Sequence, residues 1–223
     1  MNLDDLKKKL IREDLNISDE YGKIFSYIDF GNVNNWFEKD RQDWDNNALS
    51  DNQKLNIDIT KLKEFADLFS QRTRNYYGHD PHNVGSDKFT YALRKVYGKR
   101  DFVTKKLQKI KHYISDDDKQ DTLFVQQDKE GKNYVEIRKC NFDVEMSVDA
   151  IRMIDHYDTI CLFSGDADFV YLNIFLRKKG KKIILIKGGH ITEELRSSAD
   201  IVINAQRVKK HIARVDETKE TKT

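Results

Sequence analysis

Cysteine occurs only twice in this 223-residue chain, proline only once, and no apolar run approaches the length of a membrane span. Cys140 and Cys161 lack CxxC spacing and so give no zinc-ligand pattern. Cys161 lies in an apolar stretch and reads as a small core residue. His79, His82 and His190 are scattered without ligand spacing. There is no GxxxxGK[ST] loop, which argues against triphosphate hydrolysis by that route. No DxDxT motif supplies an aspartyl nucleophile, and no internal repeat is present. An excess of one charge is missing too. Forty basic and 38 acidic residues leave a net +2, so whole-chain charge says little about a nucleic-acid partner. Residues 1–15 are charged and amphipathic without the apolar centre of a secretory signal, and a reduced, cytoplasmic protein is the expectation.

What the chain does have is charge, at 35% of residues, around short apolar runs such as Ile160-Cys161-Leu162-Phe163 and Ile183-Ile184-Leu185-Ile186. These runs mark the core, and the charge a well-solvated surface. Leu3, Leu6, Leu10 and Ile11 share one helical face, so residues 1–21 read as an N-terminal helical extension. A strand is expected at 23–30, a turn at Gly31-Asn32 and a short helix at 33–39. Residues 40–60 are polar and read as a loop insertion. A helix at 61–69, a strand at 73–78, a loop around Pro81 and a helix at 86–97 follow. One or two strands fall in 101–114, then a turn at 116–118. An antiparallel ribbon, about 120–139, is built from 122–126 and 133–138. The last part alternates regularly: helix 146–156, strand 158–164, helix 168–179 closed by Gly180, strand 182–187, helix 192–198, strand 199–203. Residues 207–223 read as a basic, flexible tail. This order implies an α/β fold with a mostly parallel sheet.

Three acidic groups stand where such a sheet binds ligands. Asp29 ends the first strand, and Asn32 lies just across the Gly31 turn. Capping of the next helix is the alternative for Asp29. Asp166 and Asp168 follow the apolar strand 158–164 directly. One carboxylate there caps a helix; two repel each other unless a cation offsets them. Asp149 falls on the helix before that strand and Asp143 just before that helix, with Glu145 near, and exposed carboxylates are common at helix starts. Hard oxygen ligands in this number suit Mg²⁺ or Mn²⁺, which activates water and steadies charge on a phosphodiester. Basic residues cluster at Lys105-Lys106 with Lys109 and Lys111, at Arg177-Lys178-Lys179 with Lys181-Lys182, and at Arg207 with Lys209-Lys210. They read either as a phosphate-binding rim or as solvated surface. Trp36, Trp44, Tyr76 and Tyr77 are candidates for base stacking or for packing.

The segments Tyr27–Asn32, Asp143–Ala150 and Tyr157–Phe169, the last containing Ser164-Gly165-Asp166-Ala167-Asp168-Phe169, resemble the NYN family and in particular its LabA-like branch. Gly180, Glu194-Leu195 and Ala199-Asp200 add to the resemblance, which spans residues 22–206. It implies a PIN-like three-layer sandwich, a central mostly parallel sheet flanked by helices, with a divalent-metal site and RNA cleavage. By matching position, Asp29, Asn32, Asp149, Asp166 and Asp168 form that site, with Asp143 beside them and Ser164 orienting the loop. The chain departs from the family at Cys140-Asn141, where a glycine is usual. The expectation is therefore an endoribonuclease acting on single-stranded or structured RNA. Asp29, Asp149, Asp166, Asp168 and Asp143 ligate Mg²⁺ or Mn²⁺, and Asn32 positions water or phosphate. Ser164, Arg177, Lys178, Lys181 and Lys182 are expected on the substrate side. Two rivals stay open: a non-catalytic RNA- or protein-binding regulatory module, and a metal phosphohydrolase of small phosphate esters. No membrane partner is expected, and homo-oligomerisation is left open.

Overall fold

Strands that run apolar without alternation need cover on both faces, which parallel sheets with crossover helices provide. The computed structural model describes residues 2–115 and 125–217. Its strands are β1 (Ile24–Asp29), β2 (Gln53–Ile57), β3 (Arg72–His79), β4 (Phe102–Lys106), β5 (Gln108–Tyr113), β6 (Gln126–Gln127), β7 (Asn133–Lys139), β8 (Thr159–Phe163), β9 (Lys182–Lys187), β10 (Ile201–Asn204) and β11 (Ala213–Glu217). Its helices are α1 (Leu3–Asp14), α2 (Phe30–Val33), α3 (Ile59–Asp67), α4 (Val84–Asp101), α5 (Asp143–Arg152), α6 (Val170–Lys178), α7 (Glu193–Ser197) and α8 (Ala205–Ile212).

Six strands form one sheet in the order β10-β9-β8-β1-β3-β4, and every neighbouring pair is parallel. Alternate side chains of the central strands feed two cores. Ile24, Ile28, Cys161, Phe163, Ile184 and Ile186 pack against α2, α3, α4 and α8. Phe25, Tyr27, Ile160, Leu162, Ile183 and Leu185 pack against α5, α6 and α7. The result is three layers, helix–sheet–helix. Strand order reverses between β1 and β8. At such a point the two loops leaving the carboxyl ends diverge to opposite faces and open a crevice. The register pairs Ile28 with Phe163, so Asp29 and Ser164 emerge side by side at its mouth.

Several expectations need correction. Residues 40–60 are not all loop: β2 lies within them and pairs antiparallel with β11, Leu55 opposite Val215. The segment read as a flexible tail from 207 is therefore structured through 217. Ala205, Val208 and Ile212 bury one face of α8, and β11 closes on β2. The ribbon is also rearranged. The main partner of β7 is β5, with Ile110 opposite Ile137, whereas β6 contributes two residues. The turn expected at 116–118, the start of the strand expected at 122–126 and residues 218–223 lie outside the described residues. In α1 the expected apolar face is largely exposed at Leu3, Leu6 and Leu10. Only Ile11 within it packs on the core, which Leu15 and Ile17 just beyond it then enter. Among the described residues no helix is long and apolar enough to cross a membrane.

Candidate metal centre

The site is assembled from two strand ends and two helix starts. Asp29 closes β1 and is half-buried. Burial pushes its carboxyl above the usual range, and the charge of Asp166 adds to this. Hydrogen bonds from Ser164 and from the amides of Asn32 and Gly31 pull the other way. Ser164 is fully buried, and its hydroxyl works in both directions. It donates to Asp29 Oδ2 at 3.2 Å and accepts from the Asp166 amide at 3.2 Å. Asp166 Oδ1 in turn accepts from the Asp168 amide at 3.0 Å and caps the short 3₁₀ turn that leads into α6. Asp143 is the first residue of α5, and its amide donates to Asn141 Oδ1 at 2.8 Å.

One carboxylate oxygen from each of Asp143, Asp166 and Asp168 lies within 4.8 Å of the others. Oxygens bound at about 2.1 Å to one shared cation stand roughly 3–4 Å apart, so a small closure suffices. Burial first, then the charges of Asp166 and Asp168, push the Asp143 carboxyl up to about 6. Among the described residues no lysine, arginine or histidine forms an ion pair with Asp29, Asp143, Asp166 or Asp168. Uncompensated hard oxygen donors of this kind fit a divalent cation such as Mg²⁺ or Mn²⁺.

Asn32 braces the site. Its Oδ1 accepts from the Gly165 amide at 3.1 Å and from Trp36 Nε1 at 3.0 Å, leaving its NH₂ as the group it can offer a phosphate. Trp36 lies flat against Phe163, ring centroids 6.4 Å apart. A Cβ at Gly188 would come within 2.3 Å of the indole, so only glycine fits there. The centre opens into a cleft of about 750 Å³ bordered by Asp29, Asn32, Tyr77, Lys139, Asn141 and Asp143 among others.

A family model described as the NYN domain matches residues 42–206, about three-quarters of the sequence. The chain belongs to the NYN domain family. The match includes Asp143, Asp166 and Asp168 and begins downstream of β1 with Asp29 and Asn32. Over 80 residues this NYN chain is 32% identical to the low amplitude and bright protein LabA of Synechococcus elongatus, a match covering 35% of this chain and 43% of that protein. The match therefore spans under half of that relative. The fold is shared with a crystal structure of a protein of unknown function from Vibrio parahaemolyticus, with a TM-score of 0.53 at 20% identity over 84% of this chain and 94% of that one.

The NYN fold brings together some of the expected site residues and separates others. Asp143, Asp166 and Asp168 converge, with Asp29 and Asn32 at their side. Asp149 does not join them. Its Oδ2 is held by Arg74 Nη1 at 2.6 Å and by the Tyr76 hydroxyl at 2.8 Å. Six residues along a helix give about 9 Å of rise and 240° of turn, so Asp143 and Asp149 face different neighbours. Ser164, expected to touch substrate, is buried and instead positions Asp29 and Asp166. The Arg177, Lys178, Lys181, Lys182 group sits at the wrong end of the sheet. A helix leaving the carboxyl end of β8 returns its own last turn to the amino end of β9. There Lys182 pairs with Glu20 at 2.6 Å, Lys181 bonds the Tyr157 carbonyl at 2.7 Å, and Arg177 reaches Asp200 at 3.4 Å. Of the four aromatic candidates Tyr76 is buried, Trp36 is packed on Phe163 and Trp44 lies under Lys61, which leaves Tyr77 bordering the cleft. Sequence reasoning missed Lys139 and Asn141 as cleft residues. Their signal was position, immediately before Asp143 and at the end of a strand.

Proposed function

We propose that this NYN chain is a metal-dependent endoribonuclease whose ligands are Asp143, Asp166 and Asp168, with Asp29 completing the acidic set. The carrying observation is the convergence of three uncompensated carboxylates from two chain segments at the reversal point of the sheet. Membership in the NYN family, and through it the PIN-like nucleases, supports the reaction class. A divalent ion held there supplies a bound water of lowered pKa and neutralises charge developing on the phosphodiester. The chain's own residues do the rest. Ser164 fixes Asp29 through Oδ2 and so holds its carboxylate at the cleft, beside the ion or its water. The Asn32 amide and Lys139 offer donors to phosphate oxygens at the cleft wall. The α5 amino terminus adds its dipole in favour of the anionic substrate. An open cleft suits a polymer passing through it better than a small ester, which enzymes usually enclose.

The reading is tested by Mn²⁺ titration calorimetry alongside gel-based RNA cleavage. Wild type should bind Mn²⁺ and cut RNA, and Asp166→Asn should lose both. Asp149→Asn should keep Mn²⁺ binding. Wild type that binds RNA without cutting any in Mn²⁺ or Mg²⁺ would make the chain a non-catalytic module.

A further inference from the structure

A second hollow of about 240 Å³ adjoins the acidic cleft, lined by Lys105, Lys106, Gln108, Lys139, Cys140 and Asn141. It shares Lys139, Cys140 and Asn141 with the cleft, so the two lie side by side along one groove-like surface. Its floor is kept low where β3 meets the end of β7. A Cβ at Gly78 would lie 2.5 Å from the Cys140 Cβ, so any larger residue there would raise a bar across the groove.

The three lysines differ in what they already do. Lys105 is committed. It donates to Glu145 Oε1 at 2.6 Å and its ammonium sits 4.8 Å above the Phe142 ring, which fixes the wall between β4 and α5. Lys106 and Lys139 are exposed, and their ammonium groups make no ion pair or hydrogen bond among the described residues. Two uncommitted ammonium groups lining one hollow do nothing to stabilise each other and are well suited to holding a polyanion. The Arg177–Lys182 group stands at the far end of the sheet, where Arg177 and Lys182 are paired with Asp200 and Glu20.

We infer that Lys106 and Lys139 form a phosphate subsite for a single RNA strand leaving the acidic cleft. This rests on the ribonuclease reading and extends it to the path of the substrate. Two lysines lining one small hollow offer their charge to the phosphates of one strand. Double-stranded-RNA-binding domains instead grip a duplex across successive grooves over about 16 base pairs, farther than this notch reaches.

The experiment uses the full chain and a fluorescein-labelled uridine 20-mer, which has no stable secondary structure. Binding is followed by anisotropy in EDTA between 50 and 300 mM KCl, so no cleavage intervenes. Each lost phosphate contact on a single strand lowers the salt slope by about 0.7, so Lys106→Ala/Lys139→Ala should lower it by about 1.4 and weaken binding roughly tenfold at 0.15 M. Lys106→Arg/Lys139→Arg should retain wild-type binding. Lys178→Ala/Lys179→Ala, which removes the same charge at the far end, should leave both quantities unchanged. An unchanged slope in Lys106→Ala/Lys139→Ala, or an equal loss in Lys178→Ala/Lys179→Ala, overturns the subsite. Wild-type cleavage in Mn²⁺ is measured in parallel. If the lysine effects appear but wild type never cuts, the ribonuclease reading fails and the RNA subsite stands. If wild type cuts but the lysines are silent, the subsite alone fails.

Discussion

Replacing Asp143 with asparagine should stabilise the metal-free protein at neutral pH. The carboxyl is pushed up to about 6 by burial and by Asp166 and Asp168. An acid whose folded pKa exceeds its unfolded value near 3.9 binds more protons folded than unfolded, so stability falls as pH rises between the two values. A shift of about two units corresponds to roughly 3 kcal/mol, and solvent at this half-exposed side chain screens that to about 2 kcal/mol. The negative charge at the start of α5 repays about 0.5 kcal/mol through the helix dipole. Asp143→Asn should therefore gain about 1.5 kcal/mol above pH 7, roughly 3–6 °C in melting temperature for a chain of this size. The gain should shrink to a few tenths of a kcal/mol, about 0.5 at most, by pH 4, where the folded group is neutral and the unfolded group about half so. In Mn²⁺ the order should reverse, since a cation that binds only the folded wild type stabilises it by mass action. The assay is a thermal melt from pH 4 to 8 in EDTA and in Mn²⁺. If Asp143→Asn melts below wild type in EDTA at pH 7.5, the carboxylates do not repel one another and the reasoning fails.

Asp149→Ala should cost about 3 kcal/mol, because it leaves the largely buried Arg74 guanidinium with only Asp101, 3.9 Å away, as a charged partner, while the shift in melting temperature caused by Mn²⁺ persists; loss of that shift would return Asp149 to the metal site. Ser164→Ala should cost about 1–2 kcal/mol and weaken Mn²⁺ binding measured by calorimetry, because one hydroxyl serves both Asp29 and Asp166. Gly188→Ala should destabilise by about 1–3 kcal/mol in urea melts and alter Trp36 fluorescence, since the new methyl displaces the indole that braces Asn32; wild-type stability and emission would show that the loop yields freely.

The central strands were legible because their burial on both faces forces continuous apolar runs, and the Gly180 cap was legible because a left-handed residue at φ +76° favours glycine. Asp29, Asp166 and Asp168 were legible because each follows such a run directly. The β2–β11 pair was not. Gln53–Ile57 and Ala213–Glu217 are short, mostly polar and about 160 residues apart, so each gains its structure from the other. Asp149 was misplaced by neglecting helical phase, which already separates it from Asp143 in the sequence. The Arg177–Lys182 group was misplaced by reading charge without strand polarity. A helix that starts at the carboxyl end of one parallel strand has to finish at the amino end of the next.

The most direct test of the metal centre is cleavage of a labelled RNA by wild type and by Asp168→Asn, each in Mn²⁺ and in excess EDTA, with RNA binding recorded for both. Wild type should cut only in Mn²⁺, and Asp168→Asn should bind RNA without cutting it in either condition. Equal cutting by purified Asp168→Asn, or wild-type cutting that survives EDTA, would contradict the account and place the chemistry outside the acidic cluster.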